Sequence, residues 1–238
     1  MDVRAASIRF CASLGQMGHP EAPTAATLLG EPLPVELMNT VGIDRKDVQD
    51  ALGDDASVTA WLRAIDDRLR CEAGATVGPA AVGGATEHDL ADRLRALRDA
   101  LRRLAAEVTE DPRPPVTSVI PERQNAIDTL NALAAAWPEL RWPSGGDPVP
   151  VFRTSGTTGD LAVAFIAHQA VDLFTDGRRK QLRACLAPGC LLYFLKQHPR
   201  REWCSAVCGN RARVARHYQR HHIDSRPTAA ERTRRSRP

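Results

Sequence analysis

Four cysteines in the last quarter of this 238-residue chain constrain its fold more than any other feature. They follow the spacing Cys185-x4-Cys190-x13-Cys204-x3-Cys208. Cysteine pairs at such short spacings are typical of tetrahedral zinc sites, in which thiolates lie about 2.3 Å from the metal. We therefore predict one structural Zn²⁺ ion bound by these four residues. With four protein ligands, no coordination position is left open for a catalytic water.

The residues around the cysteines predict a small treble-clef-like finger. A Pro-Gly turn lies between the first two cysteines, residues 191–195 lead into a small hairpin, and the second pair begins a helix. We expect Phe194 and Trp203 to form a minimal core beside the metal. The sequence leaves two alternatives for Tyr193: it belongs to that core, or it stacks on nucleic-acid bases.

A competing ligand set would use His217 and His221 in place of Cys204 and Cys208. The gap from Cys190 to His217 would then span 26 residues, whereas 12–15 are usual between the two halves of such a site. The four-cysteine set is therefore the preferred prediction.

The charge of the chain is divided between two regions. Residues 178–238 hold 16 Lys and Arg against 3 Asp and Glu, whereas residues 1–177 hold 16 against 26. No acidic residue occurs between Cys204 and Ile223, although a solvated helix surface normally mixes both signs. A basic cluster of this density repels itself and favours a polyanionic partner. We therefore predict that the helix following Cys208 binds nucleic acid.

Arginine supplies most of the cations in this region, and its planar fork suits both phosphate groups and the O6 and N7 atoms of guanine. We expect Val207, Val214 and Tyr218 to lie near the cysteine side of the helix. DNA is the predicted partner, with RNA or a protein surface as the alternative. The candidate contact residues are Arg211, Arg213, Arg216 and Arg220 on the helix, and Lys196, Arg200 and Arg201 before it.

The remainder of the chain predicts an α+β, mostly helical fold. Aromatic residues make up only 5% of the sequence, so the core must be built from small aliphatic side chains, which favours packed helices. We predict helices near residues 54–70, 87–108, 121–136 and 160–176, the last ended by Gly177, and one small β-hairpin near 147–159. Residues 33–44 fit either a strand or a short helix.

The helix at 87–108 carries leucines at alternating spacings of four and three. This pattern suits a core helix or a dimerising coiled coil, and it is shorter than the three to four heptads that a coiled coil requires. We divide the chain into a flexible leader (1–27), a mainly helical domain (28–177), the finger (178–224) and a basic disordered tail (225–238).

Several functional classes are excluded by the sequence. No stretch approaches the roughly 18 apolar residues of a membrane span, and the N-terminus lacks the pattern of a signal peptide. We therefore expect a cytoplasmic protein. Because neither a nucleophile–base pair nor an open metal position is recognisable, we expect no enzymatic activity.

Three segments, IAHQAVDLF, QLRACLAPGC and WCSAVCGNRARVARHYQR, resemble the CGNR-type zinc finger family, whose name motif falls on residues 208–211. The upstream segments LPVELMNTV, SVTAWL and LNALAAA resemble the ABATE domain that precedes this finger. The resemblance implies a bacterial transcription regulator with a zinc-dependent, DNA-binding finger. It implies that the four cysteines are the ligands and that Arg211 and the basic residues after it contact DNA. The upstream domain would then sense stress or an unidentified small effector, or join two copies in a homodimer.

Overall fold

A computed structural model describes residues 28–44, 47–74, 87–113, 119–144, 146–153 and 157–224. The predicted leader and tail lie outside these residues. The helices are α1 Leu33–Met38, α2 Asp55–Ala73, α3 Glu87–Val108, α4 Arg123–Leu133, α5 Thr158–Thr175 and α6 Ala206–Asp224. The strands are β1 Val41–Asp44, β2 Asp47–Asp50, β3 Trp137–Arg141, β4 Val149–Arg153, β5 Leu182–Ala184 and β6 Tyr193–Leu195.

This architecture confirms the mostly helical α+β fold class. The strands of the described residues form three antiparallel two-stranded hairpins, β1–β2, β3–β4 and β5–β6, where the sequence predicted one hairpin in the N-terminal part. Segment 33–44, for which the sequence left a strand and a short helix open, contains one of each: α1 is followed by β1.

Helix α3 lies at the centre of the fold and contacts α1, α2, α4 and α5. Its leucines Leu94, Leu97 and Leu101 are fully buried in the main hydrophobic core. They are therefore covered by the chain's own helices, which confirms a core helix and leaves these leucines unable to form a dimerising coiled coil. Arg98 and Arg102 are also buried on this helix.

Helix α2 forms as its pattern predicts. The carboxylate of Asp54 accepts a hydrogen bond from the Ser57 backbone N–H at 2.7 Å, which caps the helix. Gly74 ends it in the left-handed conformation that favours glycine (φ 64°). The residues that it buries against the core are Val58, Trp61, Ile65, Leu69 and Ala73.

Two predicted boundaries around α5 are wrong. Strand β4 pairs with β3 upstream of it, and residues 157–160 begin α5 through a capping box between Thr157 and Asp160. A reciprocal pair of side-chain hydrogen bonds favours a helix start at this position. Gly177 does not end α5 as predicted. The helix ends at Thr175, and Gly177 is the first residue of a 3₁₀ turn, Gly177–Gln181. In the part of the chain described, no helix is both apolar and long enough to cross a lipid bilayer.

The β5–β6 hairpin joins the C-terminal segment to the main core. Its register places Leu182 opposite Leu195, and both side chains are buried together with Tyr193 among residues of α3 and α5. Packing is therefore continuous across residue 178, although the charge of the chain changes sign there.

The indole of Trp61 gives a test of this packing. It is one of the largest fully buried side chains, and its Nε1–H has no acceptor among the described residues. We expect Trp61→Ala to lower the free energy of unfolding by about 3–5 kcal/mol through loss of contacts and formation of a cavity. Trp61→Phe should lower it by much less, because the unpaired donor is removed as well. Urea unfolding of the two variants checks this, and equal losses would contradict it.

Candidate metal centre and nucleic-acid interface

The first cysteine pair lies in the connection between β5 and β6. The Cys185 backbone N–H donates to the Leu192 carbonyl at 2.9 Å, and the Cys190 N–H donates to the Ala187 carbonyl at 2.9 Å. Gly189 has φ 70°, a left-handed conformation that glycine adopts without strain, and it completes the predicted turn. The hairpin therefore encloses this cysteine pair, whereas the sequence analysis placed the hairpin after it.

The second cysteine pair lies at the start of α6. Cys204 precedes the helix, Cys208 is in its first turn, and the Ser205 hydroxyl accepts a hydrogen bond from the Cys208 N–H at 3.3 Å. A Cβ atom on Gly209 would lie 3.1 Å from Cδ1 of Trp203. The absence of a side chain at Gly209 thus lets the indole pack directly against the helix that carries the ligands.

The four sulfur atoms converge on one point. All four Sγ atoms lie within 4.8 Å of one another, with Cys190 and Cys204 at 3.8 Å and Cys204 and Cys208 at 3.5 Å. A tetrahedral site with Zn–S bonds of about 2.3 Å has sulfur–sulfur edges of about 3.8 Å. All four residues are buried, at 7% exposure or less. The cluster fits one structural zinc ion.

The alternative histidine ligands do not enter this cluster. His217 lies on the exposed part of α6, and the side chain of His221 is outside the described residues. Cys204 and Cys208 complete the group of four without either histidine.

Proximity of the sulfur atoms shifts the pKa values of Cys185, Cys190 and Cys204. Hydrogen bonds from Cys190 and Cys204 hold the pKa of Cys185 well below its usual range. The same contacts to Cys185 raise the pKa of Cys190 to about 12 and also raise the pKa of Cys204. The contacts among these three sulfurs therefore favour the thiolate at Cys185 and disfavour it at Cys190 and Cys204. A divalent cation bound by the four sulfurs would supply the charge that stabilises all four thiolates together.

The aromatic residues of the finger divide between two cores. Phe194 is buried and Trp203 half-buried against the cysteines, as predicted. Tyr193 belongs to the main core with only 2% exposure, and its hydroxyl donates to Asp111 Oδ2 at 2.8 Å. Burial raises the pKa of Tyr193 to about 12. Of the two alternatives for Tyr193, base stacking is therefore wrong, because its ring is packed inside the protein.

Four residues of the N-terminal domain bind the backbone of the finger, and we call them the finger clamp: Glu31, Asn39, Arg102 and Arg113. The Asn39 amide donates to the Tyr193 carbonyl at 3.0 Å and accepts from the Tyr193 N–H at 2.8 Å. Glu31 accepts from the Leu195 N–H at 3.0 Å. The side chains of Asn39 and Glu31 thus bond to backbone groups of β6 in the way that a neighbouring strand would.

The two arginines of the clamp reach the connection that holds the first cysteine pair. Arg102 donates to the Leu191 carbonyl at 2.9 Å, and Arg113 donates to the Cys190 carbonyl at 2.9 Å. The guanidinium carbon of Arg102 lies 5.2 Å from the centre of the Tyr193 ring, and that of Arg113 lies 4.9 Å from it, so both cations interact with the ring. Burial lowers the pKa of Arg102 to about 10, which leaves it protonated at neutral pH.

Buried carboxylates stabilise the Glu31 end of the clamp. Glu36 accepts hydrogen bonds from the backbone N–H groups of Leu29 and Glu31, at 2.9 and 2.7 Å, and so holds the segment that carries Glu31. Burial raises the pKa of Glu36 to about 7. Sequence reasoning missed the clamp residues. The available signal was that, at about 100° per residue, Arg98 and Arg102 lie on the side of α3 that carries Ala91 and Ala105, where a solvated arginine is not expected.

The predicted nucleic-acid contacts occupy different environments. Arg213, Arg216 and Arg220 are exposed on α6, and Arg211 is exposed while donating to the Pro188 carbonyl at 3.0 Å. Arg200 is exposed in the preceding turn and Lys196 is half-buried. Val207, Val214 and Tyr218 are exposed as well, so the prediction that they pack near the cysteines is wrong.

Arg201 has an internal role. Its guanidinium forms an ion pair with Glu31 and donates to the Cys204 carbonyl at 3.0 Å and the Leu195 carbonyl at 3.1 Å. It also lies 5.0 Å from the centre of the Phe194 ring. Because these contacts join the second cysteine pair to the clamp, we leave Arg201 out of the interface with nucleic acid.

Comparison with known protein families agrees with the resemblance. The family model ABATE, described as "Putative stress-induced transcription regulator", matches residues 31–177. The CGNR zinc finger model matches residues 181–221. A search of curated proteins found no match.

Loss of the metal should destabilise the whole chain, because the finger shares its core with the N-terminal domain. We expect Cys204→Ser to reduce zinc from one ion per chain to a small fraction, since a hydroxyl replaces a thiolate ligand. The free energy of unfolding should fall by at least about 3 kcal/mol, as structural zinc contributes on the order of 10 kcal/mol in isolated fingers. Metal analysis and urea unfolding measure both effects, with the exposed Glu202→Gln nearby as control. Unchanged unfolding of the zinc-free chain would contradict the shared core.

Arg113 should control how firmly zinc is held, although it is not a ligand. Its planar fork bridges the Asp111 carboxylate and the Cys190 carbonyl, and the single ammonium of lysine reproduces only one of these contacts. We expect both Arg113→Ala and Arg113→Lys to weaken zinc binding about 10- to 100-fold, as is usual when a group that orients a ligand is removed. Zinc transfer to a chromophoric chelator measures this. Arg123→Ala, which removes an exposed ion pair with Glu107, is the matched control. Wild-type affinity in Arg113→Lys would show that charge alone suffices.

Proposed function

Because the chain belongs to the ABATE family and ends in a CGNR zinc finger, we propose that it is a zinc-dependent DNA-binding transcription regulator. Neither matched family is a family of enzymes. The proposal assigns DNA contact to α6 and to Lys196 and Arg200 before it. It assigns to zinc the structural role of holding α6 on the rest of the protein.

The observation that carries this proposal is a helix that is attached at its start and bears only basic charges up to Ile223. Cys208 is part of the sulfur cluster, and Ala212 is buried one turn later. Arg213, Arg216 and Arg220 are exposed beyond that point, and no acidic residue occurs from 204 to 223. A polyanion compensates such a surface, and duplex DNA offers a groove about 12 Å wide that admits one helix.

We further propose that the N-terminal domain is the sensor or the oligomerisation unit of this cytoplasmic regulator. The finger clamp supports this division of roles, because an effector that rearranged α1 or α3 would also move the backbone of the finger. A homodimer and a small-molecule effector belong to the same proposal. Its units are the leader 1–27, the domain 28–177, the finger 178–224 and the basic tail 225–238.

A salt titration with duplex DNA tests the proposed function. If about five phosphates are contacted, log K should fall with log salt at a slope of about −4 to −5. Arg213→Ala combined with Arg220→Ala should lower affinity and make the slope less steep by about one for each lost contact, with zinc content unchanged. Fluorescence anisotropy with labelled duplexes measures both quantities.

Chelated protein and single-stranded RNA provide the remaining arms of this experiment. The chelated chain should lose DNA binding, because α6 is then no longer held by the cysteines. Tighter binding to single-stranded RNA than to duplex DNA would favour an RNA-binding module. Absence of binding to either nucleic acid would overturn the proposal in favour of a protein-interaction finger.

A further inference from the structure

One side of α6 is held against the rest of the protein. Cys208 and Gly209 are buried in its first turn, Ala212 is buried in the next, and Ala215 is half-buried. Of residues 213–220, all except Ala215 are exposed. A helix of 19 residues is about 28 Å long, and the part of α6 after Ala215 accounts for about 13 Å of it. The attached side determines which side can approach a partner.

Asn210, Val214 and His217 lie on the opposite side. Successive residues of a helix are about 100° apart around its axis. The mean direction of the attached residues defines the attached side, and these three residues lie within about 30° of the direction opposite to it. Each of them is exposed. We call them the outer ridge.

Arginines occupy both flanks of the outer ridge. Arg213 and Arg220 lie about 70–90° from its centre on one side, and Arg211 lies about 90° away on the other. All three are exposed, and Arg211 is tethered to the Pro188 carbonyl. The attachment of α6 therefore separates these three arginines into two sets with a ridge of low charge between them. It places Arg216 about 125° from the centre of the ridge, on the attached side.

We propose that the outer ridge reads base pairs in the major groove, and that the flanking arginines bind the phosphates of the two strands. This inference rests on the proposed function, and it assigns the choice of DNA sequence to Asn210, Val214 and His217. When a helix lies in the groove with its attached side outward, the ridge opposite faces the base edges and the flanks face the backbones. Positive charge on both flanks disfavours a second copy of this helix as the partner.

The chemistry of the ridge fits base edges better than phosphates. An Asn amide can pair with N6 and N7 of adenine, and the Val214 methyl groups can contact the methyl group of thymine. The imidazole of His217 can donate to the acceptors N7 and O6 of guanine. None of the three residues carries the permanent positive charge that dominates binding to phosphate.

The test is selection from a pool of random duplexes by the zinc-loaded full chain, followed by sequencing. Asn210→Ala and His217→Ala should each reduce discrimination at one or two base pairs by about fivefold or more, while affinity for unselected DNA stays unchanged. Arg213→Ala combined with Arg220→Ala should weaken binding to all sequences alike. Gln219→Ala, an exposed change on the attached side of the same helix, is the matched control. Zinc content and unfolding temperature are measured for each variant.

Three outcomes would overturn the inference. Wild-type base preferences in both ridge variants, with altered preferences in the arginine variant, would move base reading to the flanks and leave the proposed function intact. Equal affinity of the wild type for all duplexes would leave DNA binding without base reading. A dimer that Val214→Glu dissociates would place a second copy on the ridge. Absence of all DNA binding would instead overturn the proposed function itself.

Discussion

The convergence of four cysteine sulfurs determines how the C-terminal part of this protein is arranged. The first pair lies between two short strands and the second pair at the start of a helix, so one ion bound by the four sulfurs joins these elements. Three-residue strands and a protruding helix bury too little apolar surface to hold themselves together. Metal binding supplies that missing stability, and it also sets the direction of α6.

The finger clamp extends this constraint into the N-terminal domain. Asn39 and Glu31 bind the backbone of β6, while Arg102 and Arg113 bind carbonyls next to the first cysteine pair. Buried charged groups are expensive unless each finds a partner, and here the partners are backbone atoms of the finger. The metal centre and the helical domain are therefore parts of one cooperative structure.

Charge and packing divide the chain at different places. The composition changes from acidic to basic near residue 178, which suggested two separable units. The main core nevertheless includes Leu182, Tyr193 and Leu195, which lie beyond that point. The distribution of charge indicates which surface would attract a polyanion. The apolar contacts indicate which segments fold together. The CGNR model matches from residue 181. The segment it matches is a unit in sequence, but its apolar residues pack against the preceding domain.

Sequence alone determined the ligand set, the class of fold and the position of the long helices. These features depend on residue type and spacing along the chain, as for the cysteine pairs and the apolar positions of α2. Tertiary structure decided which arginines are available. Arg201 is drawn inward by Glu31, 170 residues earlier in the chain, and Tyr193 is buried beneath Arg102 and Arg113. Such contacts join residues far apart in sequence, so no local pattern contains them, and the outer ridge of α6 emerges only once its attached side is known.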